Sequence, residues 1–325
     1  MLPVSDTRRT FINSVGAVAA GLSGAVALSA QASPQVGGAQ QPNAPNPLQP
    51  ASEIQVPKMK FGNVEVSRLV CGCNPLYGFA HFNQALAACM REYYTQEKVC
   101  EILHQCNRFG INTLNYYPGA ARGVADYERF TAEGGKMHII SQGTLTTAES
   151  VAIVKRLKPL AIYYHGELAD RAFQNGTMDA VKEWCKEMRG MGVMVGVGTH
   201  QPEVIAEVES QNWDVDFYAG CVYKRTRTDE EWRKVLGGEQ MEMQRECYIQ
   251  SDPPRMYKVM RAAKKPCFAF KIMGAGRVTN AEQAFRLAYE SIKPNDGVFI
   301  GFFPRAKDEV RENCERTHRI LASHS

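Results

Sequence analysis

A histidine and a glutamate follow directly on an apolar, aromatic run near the middle of the chain. The run is Leu160-Ala161-Ile162-Tyr163-Tyr164, and His165-Gly166-Glu167 comes after it. Short apolar runs bounded by turn residues are typical of strands in a parallel sheet, which are covered on both faces. We therefore expect a buried strand that carries an imidazole and a carboxylate at its carboxyl end, suited to acid/base chemistry.

Seven other stretches share this pattern, and helical periodicity separates most of them. The further predicted strands are 68–74, 111–117, 137–143, 193–200, 215–223, 267–272 and 297–303. The predicted helices are 95–110, 148–157, 177–189, 202–210, 254–263, 280–291 and 306–321. Eight predicted strands, seven of them followed by a predicted helix, indicate an α/β fold, a (β/α)8 TIM barrel covering 58–325, near the ~250 residues that are usual for this fold. An open doubly wound sheet is the rival, but its glycine-rich phosphate-binding turn is missing.

In such a barrel the residues just past each strand meet at one mouth, where active sites of this fold lie. Their amides, imidazoles and phenols suit hydroxyl groups and sugar rings, which predicts a carbohydrate or hydroxy-carbonyl substrate. The predicted substrate-binding residues are Asn74, His81, Asn115, Tyr116, Gln142 and Tyr223. The predicted catalytic residues are His165, His200, Lys271 and Glu167.

Each of these residues also has a purely structural interpretation. His165 can be a satisfied core histidine, and His200 can simply open the helix that follows Gln201-Pro202. Lys271 can act as a base or an oxyanion partner after desolvation, or pair with Glu167. His165, His200 and Cys221 are candidate ligands of a divalent metal, although their spacing matches no metal motif.

The N-terminus resembles a twin-arginine export signal. Arg8-Arg9 precedes a mildly apolar run from Val15 to Leu28, and Ala30-Gln31-Ala32 has the small-x-small form of a cleavage site. Glycines interrupt the run, which is shorter than a membrane span. We expect a signal at 1–32, recognition by the twin-arginine export machinery, a periplasmic protein without a membrane span after cleavage, and a disordered linker at 33–57 rich in Pro, Gln and Ala.

Composition and charge exclude several classes of protein. The 325 residues are 44% hydrophobic with a formal net charge of +4, which is ordinary for a globular protein. Basic residues do not cluster with aromatic ones, so we expect no nucleic-acid partner. The ten cysteines are scattered and form no CxxC pair, so neither a disulfide scaffold nor a structural zinc site is predicted.

Several stretches in order resemble the aldo-keto reductase superfamily. The opening from Met59 to Asn74 resembles that family's hairpin and first strand. Further matches are Gly110-Ile111-Asn112-Thr113, Tyr164-His165, Gly196-Val197-Gly198-Thr199-His200-Gln201-Pro202-Glu203 and the segment from Ile300 to Asn313. The resemblance covers most of 59–313 and implies a barrel whose N-terminal hairpin closes the bottom.

The family's catalytic tetrad is mostly replaced. Its aspartate corresponds to Asn115, its lysine to Gln142, and its tyrosine meets Gly119-Ala120-Ala121. Only the histidine is kept, as His165. Losing the tyrosine acid and the lysine that tunes it removes the proton source of the reductase reaction.

The nicotinamide site is altered as well. The family's Ser-Asn pair corresponds to Gly198-Thr199, and its glutamine to Ala219 or Gly220. Phe270 matches the aromatic residue that stacks on the ring, while Lys271 replaces a small hydroxyl residue. If a nucleotide such as NADP is retained, the remaining candidates to hold it are Phe270, Gly274, Gly276, Arg277 and Arg305.

Three functions remain open from the sequence. The first is an exported barrel enzyme of isomerase, epimerase or lyase type that acts on a sugar-like hydroxy-carbonyl, with His165 and Lys271 or His200 exchanging protons. The second is an oxidoreductase with tightly held NADP(H) and His165 as proton donor. The third is a carbohydrate-binding barrel without catalytic activity.

Overall fold

A computed structural model describes residues 51, 53–225, 227–235, 237 and 248–323. The predicted export signal at 1–32, most of the predicted linker and Cys247 lie outside these residues. The end of the predicted linker, in contrast, lies against the barrel: Val56 is buried and donates its N–H to the Phe109 carbonyl. The folded unit therefore begins several residues earlier than the composition indicates.

Eight parallel strands close into a barrel, as predicted. The strands of the barrel are β3 (Leu69–Gly72), β4 (Thr113–Tyr116), β5 (His138–Gln142), β6 (Ala161–Tyr164), β7 (Met194–Thr199), β8 (Phe217–Cys221), β9 (Cys267–Phe270) and β10 (Gly297–Gly301). Each pairs with the next in chain order, and β10 closes on β3 through Val298 and Leu69. The open doubly wound sheet is thereby excluded.

A hairpin closes the bottom of the barrel, also as predicted. It consists of β1 (Lys58–Phe61) and β2 (Val64–Ser67), which pair antiparallel. The turn needs Gly62 because its φ of 60° is left-handed. Phe61 reaches into the barrel, where its ring contacts Phe217 and Phe268 edge to face, with centroids 5.2 and 5.4 Å apart. This aromatic layer fills the lower barrel and leaves chemistry to the upper end.

Helices cover the outside of the barrel. They are α1 (Gln84–Tyr93), α2 (Gln96–Arg108), α3 (Gly123–Ala132), α4 (Thr147–Leu157), α5 (Gly166–Gln174), α6 (Met178–Gly190), α7 (Pro202–Ser210), α8 (Asp229–Val235), α9 (Asp252–Ala262), α10 (Ala281–Ser291) and α11 (Glu309–Ala322). Thr95, Thr146 and Asn280 cap α2, α4 and α10 with side-chain oxygens, which explains why those starts were predictable. The sequence pattern did not predict α1, α3, α5 or α8.

Among the described residues, no helix has the length and apolarity that a membrane crossing requires. The cysteines of the same ranges are free thiols, and all but Cys89 are buried. They pack as small apolar side chains in the core.

Candidate active site at the mouth of the barrel

His165 lies where β6 ends and α5 begins. It is the N-cap residue of α5, but its side chain makes no capping hydrogen bond. Its Nδ1 is buried and has no hydrogen-bond partner among the described residues. Burial, followed by the neighbouring His200, lowers the pKa of His165 to about 4. The imidazole is therefore neutral at physiological pH.

His200, at the end of β7, is fixed by a buried carboxylate. Asp170 on α5 accepts hydrogen bonds from His200 Nδ1 at 2.8 Å, from the His200 backbone N–H at 3.0 Å and from Thr199 Oγ1 at 2.5 Å. Asp170 is fully buried and His200 is 4% exposed. An ionised carboxylate makes Nδ1 the protonated nitrogen of a neutral imidazole and leaves Nε2 to accept a proton.

The pKa of His200 is lowered, first by burial and then by Lys271 and Arg225, although Asp170 acts in the opposite direction. Both histidines are consequently neutral bases near pH 7. Neutral imidazoles beside a buried carboxylate are suited to taking up a proton and returning it.

Gly166 allows the two histidines to come together. A Cβ at this position would lie 3.1 Å from His200 Cε1 and 3.2 Å from the Thr199 nitrogen. The first turn of α5 thus packs directly on the end of β7, and a side chain at position 166 would push His200 or the β7 backbone away by a few tenths of an ångström. The sequence His165-Gly166 accounts for this close approach.

The opposite side of the mouth carries a neutral hydrogen-bonded group. Asn115 donates its Nδ2 to Tyr163 Oη at 3.0 Å and also approaches the Ile140 carbonyl at 3.3 Å. Burial raises the pKa of Tyr163, while hydrogen bonds from Asn115 and Gln142 act against it. Asn115 and Gln142 were thus correctly expected to face one interior, but Tyr163, which shares it, was not proposed as a site residue.

Two predicted site residues have other surroundings. Tyr116 is 1% exposed and packs outward against α3, with its ring 2.8 Å from where a Cβ on Gly123 would be. Its prediction as a substrate-binding residue is wrong because side chains alternate along a strand, and Asn115 takes the inward position. Glu167 forms an ion pair with Arg171 at 2.5 Å along α5, and its charge also raises the pKa of the neighbouring His165 against the effect of burial.

The loops after β3 and β9 meet above the barrel. Asn74 Nδ2 lies 3.1 Å from His81 Nε2, so these two predicted residues are neighbours. Arg277 donates to the His81 carbonyl at 2.9 Å, and its guanidinium lies over the rings of Phe82 and Tyr248. Tyr223 contacts Tyr248 edge to face at 5.0 Å. Arg277 thus joins two loops at the rim.

The residues predicted to hold a nucleotide have mostly other partners. The N–H groups of Gly274, Gly276 and Arg277 donate to carbonyls of their own turn, so they are not directed at a phosphate. Thr199 Oγ1, at the position of a carboxamide-binding residue, donates to Asp170. Phe270 contacts the His200 ring edge to face at 5.6 Å, and Arg305 is exposed. These contacts do not form a polar site for the nicotinamide amide.

Lys271 follows β9 with a left-handed φ of 62°. Few non-glycine residues adopt this conformation, which costs on the order of 1 kcal/mol or more and often occurs at functional sites. Cys221, which pairs with Phe270 in the barrel, is fully buried, and burial raises the pKa of its thiol to about 11. Within the described ranges, no three His, Cys, Asp or Glu side chains are grouped as metal ligands; His200 Nδ1 is already bound to Asp170.

Sequence reasoning missed Asp170 and Arg225. Asp170 lies on α5, which the sequence pattern does not predict, although its place five residues after His165 is a usable signal once α5 is recognised. Arg225 lies in the basic run Lys224-Arg225-Thr226-Arg227, and its guanidinium Nη1 lies 3.5 Å from His200 Nε2.

Comparison with solved structures supports the fold. Two structures of a putative aldo-keto reductase from Pseudomonas aeruginosa superpose with a TM-score of 0.54 at 13% identity, covering 86% and 85% of this chain and 98% of that chain. A sugar phosphate isomerase/epimerase from Parabacteroides distasonis aligns with a TM-score of 0.41 at 14% identity over 78% of this chain and 93% of its own. No family model and no curated protein matches the sequence. At such identity the likeness to the putative aldo-keto reductase establishes a common barrel fold.

Proposed function

We propose that this protein is a barrel enzyme that moves a proton on a sugar-like hydroxy-carbonyl compound, as an isomerase, epimerase or lyase does. The observation that carries the proposal is the pair of neutral histidines at the ends of β6 and β7, one of them oriented by buried Asp170. The fold likeness to a putative aldo-keto reductase agrees with a small-molecule substrate at this mouth.

His200 Nε2 is the proposed base. It takes the proton from the carbon next to the substrate carbonyl, and the electron pair of the C–H bond moves to the carbonyl oxygen as an enediolate forms. Asp170 stabilises the resulting imidazolium through Nδ1. His165 forms a hydrogen bond with the carbonyl oxygen through one of its ring nitrogens and exchanges a proton with that oxygen. No described residue bonds to His165 Nδ1, so the imidazole can take a substrate as a hydrogen-bond partner.

The test is proton exchange with solvent. The purified protein is incubated in D2O with glyceraldehyde, dihydroxyacetone and a panel of aldoses and ketoses, and proton NMR follows loss of the signal at the carbon next to the carbonyl. The expected result is catalysed exchange with at least one compound. Saturable sugar binding that never produces exchange and does not vary with pH would instead favour a non-catalytic binding barrel.

The alternative is an oxidoreductase that retains NADP(H). The position of Phe270 at the end of β9 favours it, whereas the engaged Thr199 hydroxyl and glycine-turn amides oppose it. Denaturing the purified protein and recording the absorption of the supernatant near the reduced nicotinamide band separates the two functions. A stoichiometric nicotinamide would replace the acid/base proposal by the redox one.

We further propose export by the twin-arginine route, on the sequence of 1–32 alone. Replacing both Arg8 and Arg9 by lysine should leave the protein in the cytoplasmic fraction with an uncleaved N-terminus. Unchanged periplasmic recovery of the double variant would contradict this route.

A further inference from the structure

The basic run after β8 contains two residues that pair with acids on neighbouring helices, Lys224 and Arg227, and one that lies beside His200, Arg225. Lys224 Nζ pairs with Glu231 at 2.7 Å, and Arg227 pairs with Asp252 in a contact where both side chains are 4% exposed. These acids lie on α8 and α9, so Lys224 and Arg227 fasten the loop to the outside of the barrel. Their charges are matched within the protein.

Arg225, between them, extends toward the catalytic candidate instead. Its Nη1 lies 3.5 Å from His200 Nε2, the nitrogen that carries no proton when Nδ1 donates to Asp170. A guanidinium only donates, so it does not take the proton from His200 but holds a fixed positive charge beside it. Its planar group has the geometry that binds carboxylate or phosphate oxygens in pairs.

Lys271 adds a second positive charge from the end of β9. Lys271 follows Phe270, which pairs with Cys221, and its Nζ lies 6.0 Å from the centre of the Tyr248 ring. The charges of Lys271 and Arg225 both act on His200 and Cys221. Asp170 binds His200 and Thr199, and Glu167 pairs with Arg171. Arg225 and Lys271 interact with other groups of the protein too, so a bound anion would join existing contacts.

We propose that Arg225 and Lys271 form an anion subsite that binds a carboxylate or phosphate of the substrate next to His200. The inference rests on the proposed function and narrows its substrate to a hydroxy-carbonyl compound with a negative group, such as a sugar acid or a sugar phosphate. The same two cations stabilise the negative charge that develops on the enediolate oxygen.

Occupation of the subsite also changes His200. The two cations lower the pKa of His200, so an anion placed between them reverses part of that effect and makes Nε2 a stronger base. By linkage, protonation of His200 strengthens anion binding by the same factor. The base thus becomes stronger when the charged substrate is present.

The experiment uses two probes, inorganic phosphate and glycolate, at constant ionic strength set with chloride. Nitrogen-15 NMR of the histidine side chains follows the His200 resonance during each titration, at several pH values. The expected result is a saturable shift together with a higher pKa of His200 at saturation. Tighter binding of phosphate identifies a phosphorylated substrate, and tighter binding of glycolate identifies a carboxylate.

Arg225→Gln should weaken the binding of the preferred anion at least tenfold, and Arg225→Lys should have an intermediate effect because the charge is kept without the planar group. The matched control is Arg311→Gln on α11, an exposed ion-paired arginine that leaves binding unchanged. If Arg225→Gln does not fold, as shown by circular dichroism, Arg225→Lys and Lys271→Gln give the answer.

Equal anion responses in the parent protein, Arg225→Gln and Arg311→Gln would overturn the subsite, because the effect would then be one of ionic strength. This failure is separable from that of the proposed function. Exchange with neutral glyceraldehyde but no anion binding removes the subsite and keeps the acid/base chemistry. Anion binding with no exchange in any compound of the panel keeps the subsite and removes that chemistry.

Discussion

The two sides of the barrel mouth have opposite electrostatic character. On the side of β4, β5 and β6, Asn115, Gln142 and Tyr163 are uncharged and bonded to one another. On the side of β7, β8 and β9, His200 is bonded to Asp170 and lies beside Arg225, and the charge of Lys271 also acts on it. His165 lies between the two sides. The positions that match the aldo-keto reductase tetrad are thus mainly in the neutral half, whereas the titratable groups are in the other half.

In the proposed function, the reacting groups belong to the charged half, and the neutral half contributes to the structure of the interior. A buried amide–phenol network is fully satisfied and low in reactivity, and it contributes to a unique interior. A buried His–Asp pair requires an ionised carboxylate to leave water, which costs free energy. Several hydrogen bonds to the carboxylate can offset this cost, and such pairs are often found at functional sites. Asp170 accepts from three donors, so the charge is well stabilised.

The largest expected effect is loss of His200. His200→Ala should lower kcat on the exchanging substrate by about 10²–10⁴-fold, the usual contribution of a general base. His165→Ala should also lose orders of magnitude, since it removes the group at the carbonyl oxygen. Steady-state kinetics check both. Full activity of His165→Ala would remove it from the mechanism and leave the charged half of the mouth as the only active part.

Asp170→Asn tests how the charged half is held. The amide keeps the shape but not the charge, and it favours the other tautomer of His200, so kcat should fall by about 10–100-fold. Because Asp170 raises the pKa of His200, the acid limb of the pH–rate profile should move to lower pH. The control is Asp216→Asn, whose carboxylate binds Arg189 and the Val195 N–H away from the mouth.

A structural role of Asp170 alone would give a different pattern. In that case Asp170→Asn would lower stability and leave both the pH profile and the ratio of kcat to KM as in the parent protein. Asp216→Asn would then also lower stability without changing the kinetics, and the His200–Asp170 pair would have only a structural role.

Tyr163→Phe tests the neutral half. Losing the phenol leaves the Asn115 amide with one partner fewer, which should cost about 1 kcal/mol in the free energy of unfolding. Activity should change less than tenfold, since a tenfold change already corresponds to about 1.4 kcal/mol in the barrier. Denaturant melts and kinetics measure the two quantities. A loss of several hundredfold would instead make Tyr163 the acid that replaces the missing family tyrosine.

The sequence predicted the barrel because its strands are apolar runs and most of its helices have clear caps. It also placed His165 and His200 correctly at neighbouring strand ends, as β6 and β7 are consecutive. The pattern assigns both Asn115 and Tyr116 to the mouth, but neighbouring side chains of a strand point to opposite faces, so Tyr116 faces outward while Asn115 faces inward. The roles of Asp170 and Arg225 depend on tertiary contacts with His200, which residue spacing alone does not encode.

The smallest expected effect concerns pH and stability. The pKa of His165 is about 4 in the folded protein and ~6.5 in an unfolded chain, so between these values the unfolded chain binds a proton that the folded one does not. Stability should therefore be full above pH ~6.5 and fall toward pH ~4, with a contribution from His165 of at most ~1.4 kcal/mol per pH unit. Chemical denaturation at stepped pH should show a shallower decline in the free energy of unfolding for His165→Gln than for the parent protein. His200 has a lowered pKa as well, so the decline should persist in part. If the free energy of unfolding changed equally with pH in His165→Gln and the parent protein, His165 would be solvated in the folded protein. The mouth would then be accessible to water between its neutral and charged halves.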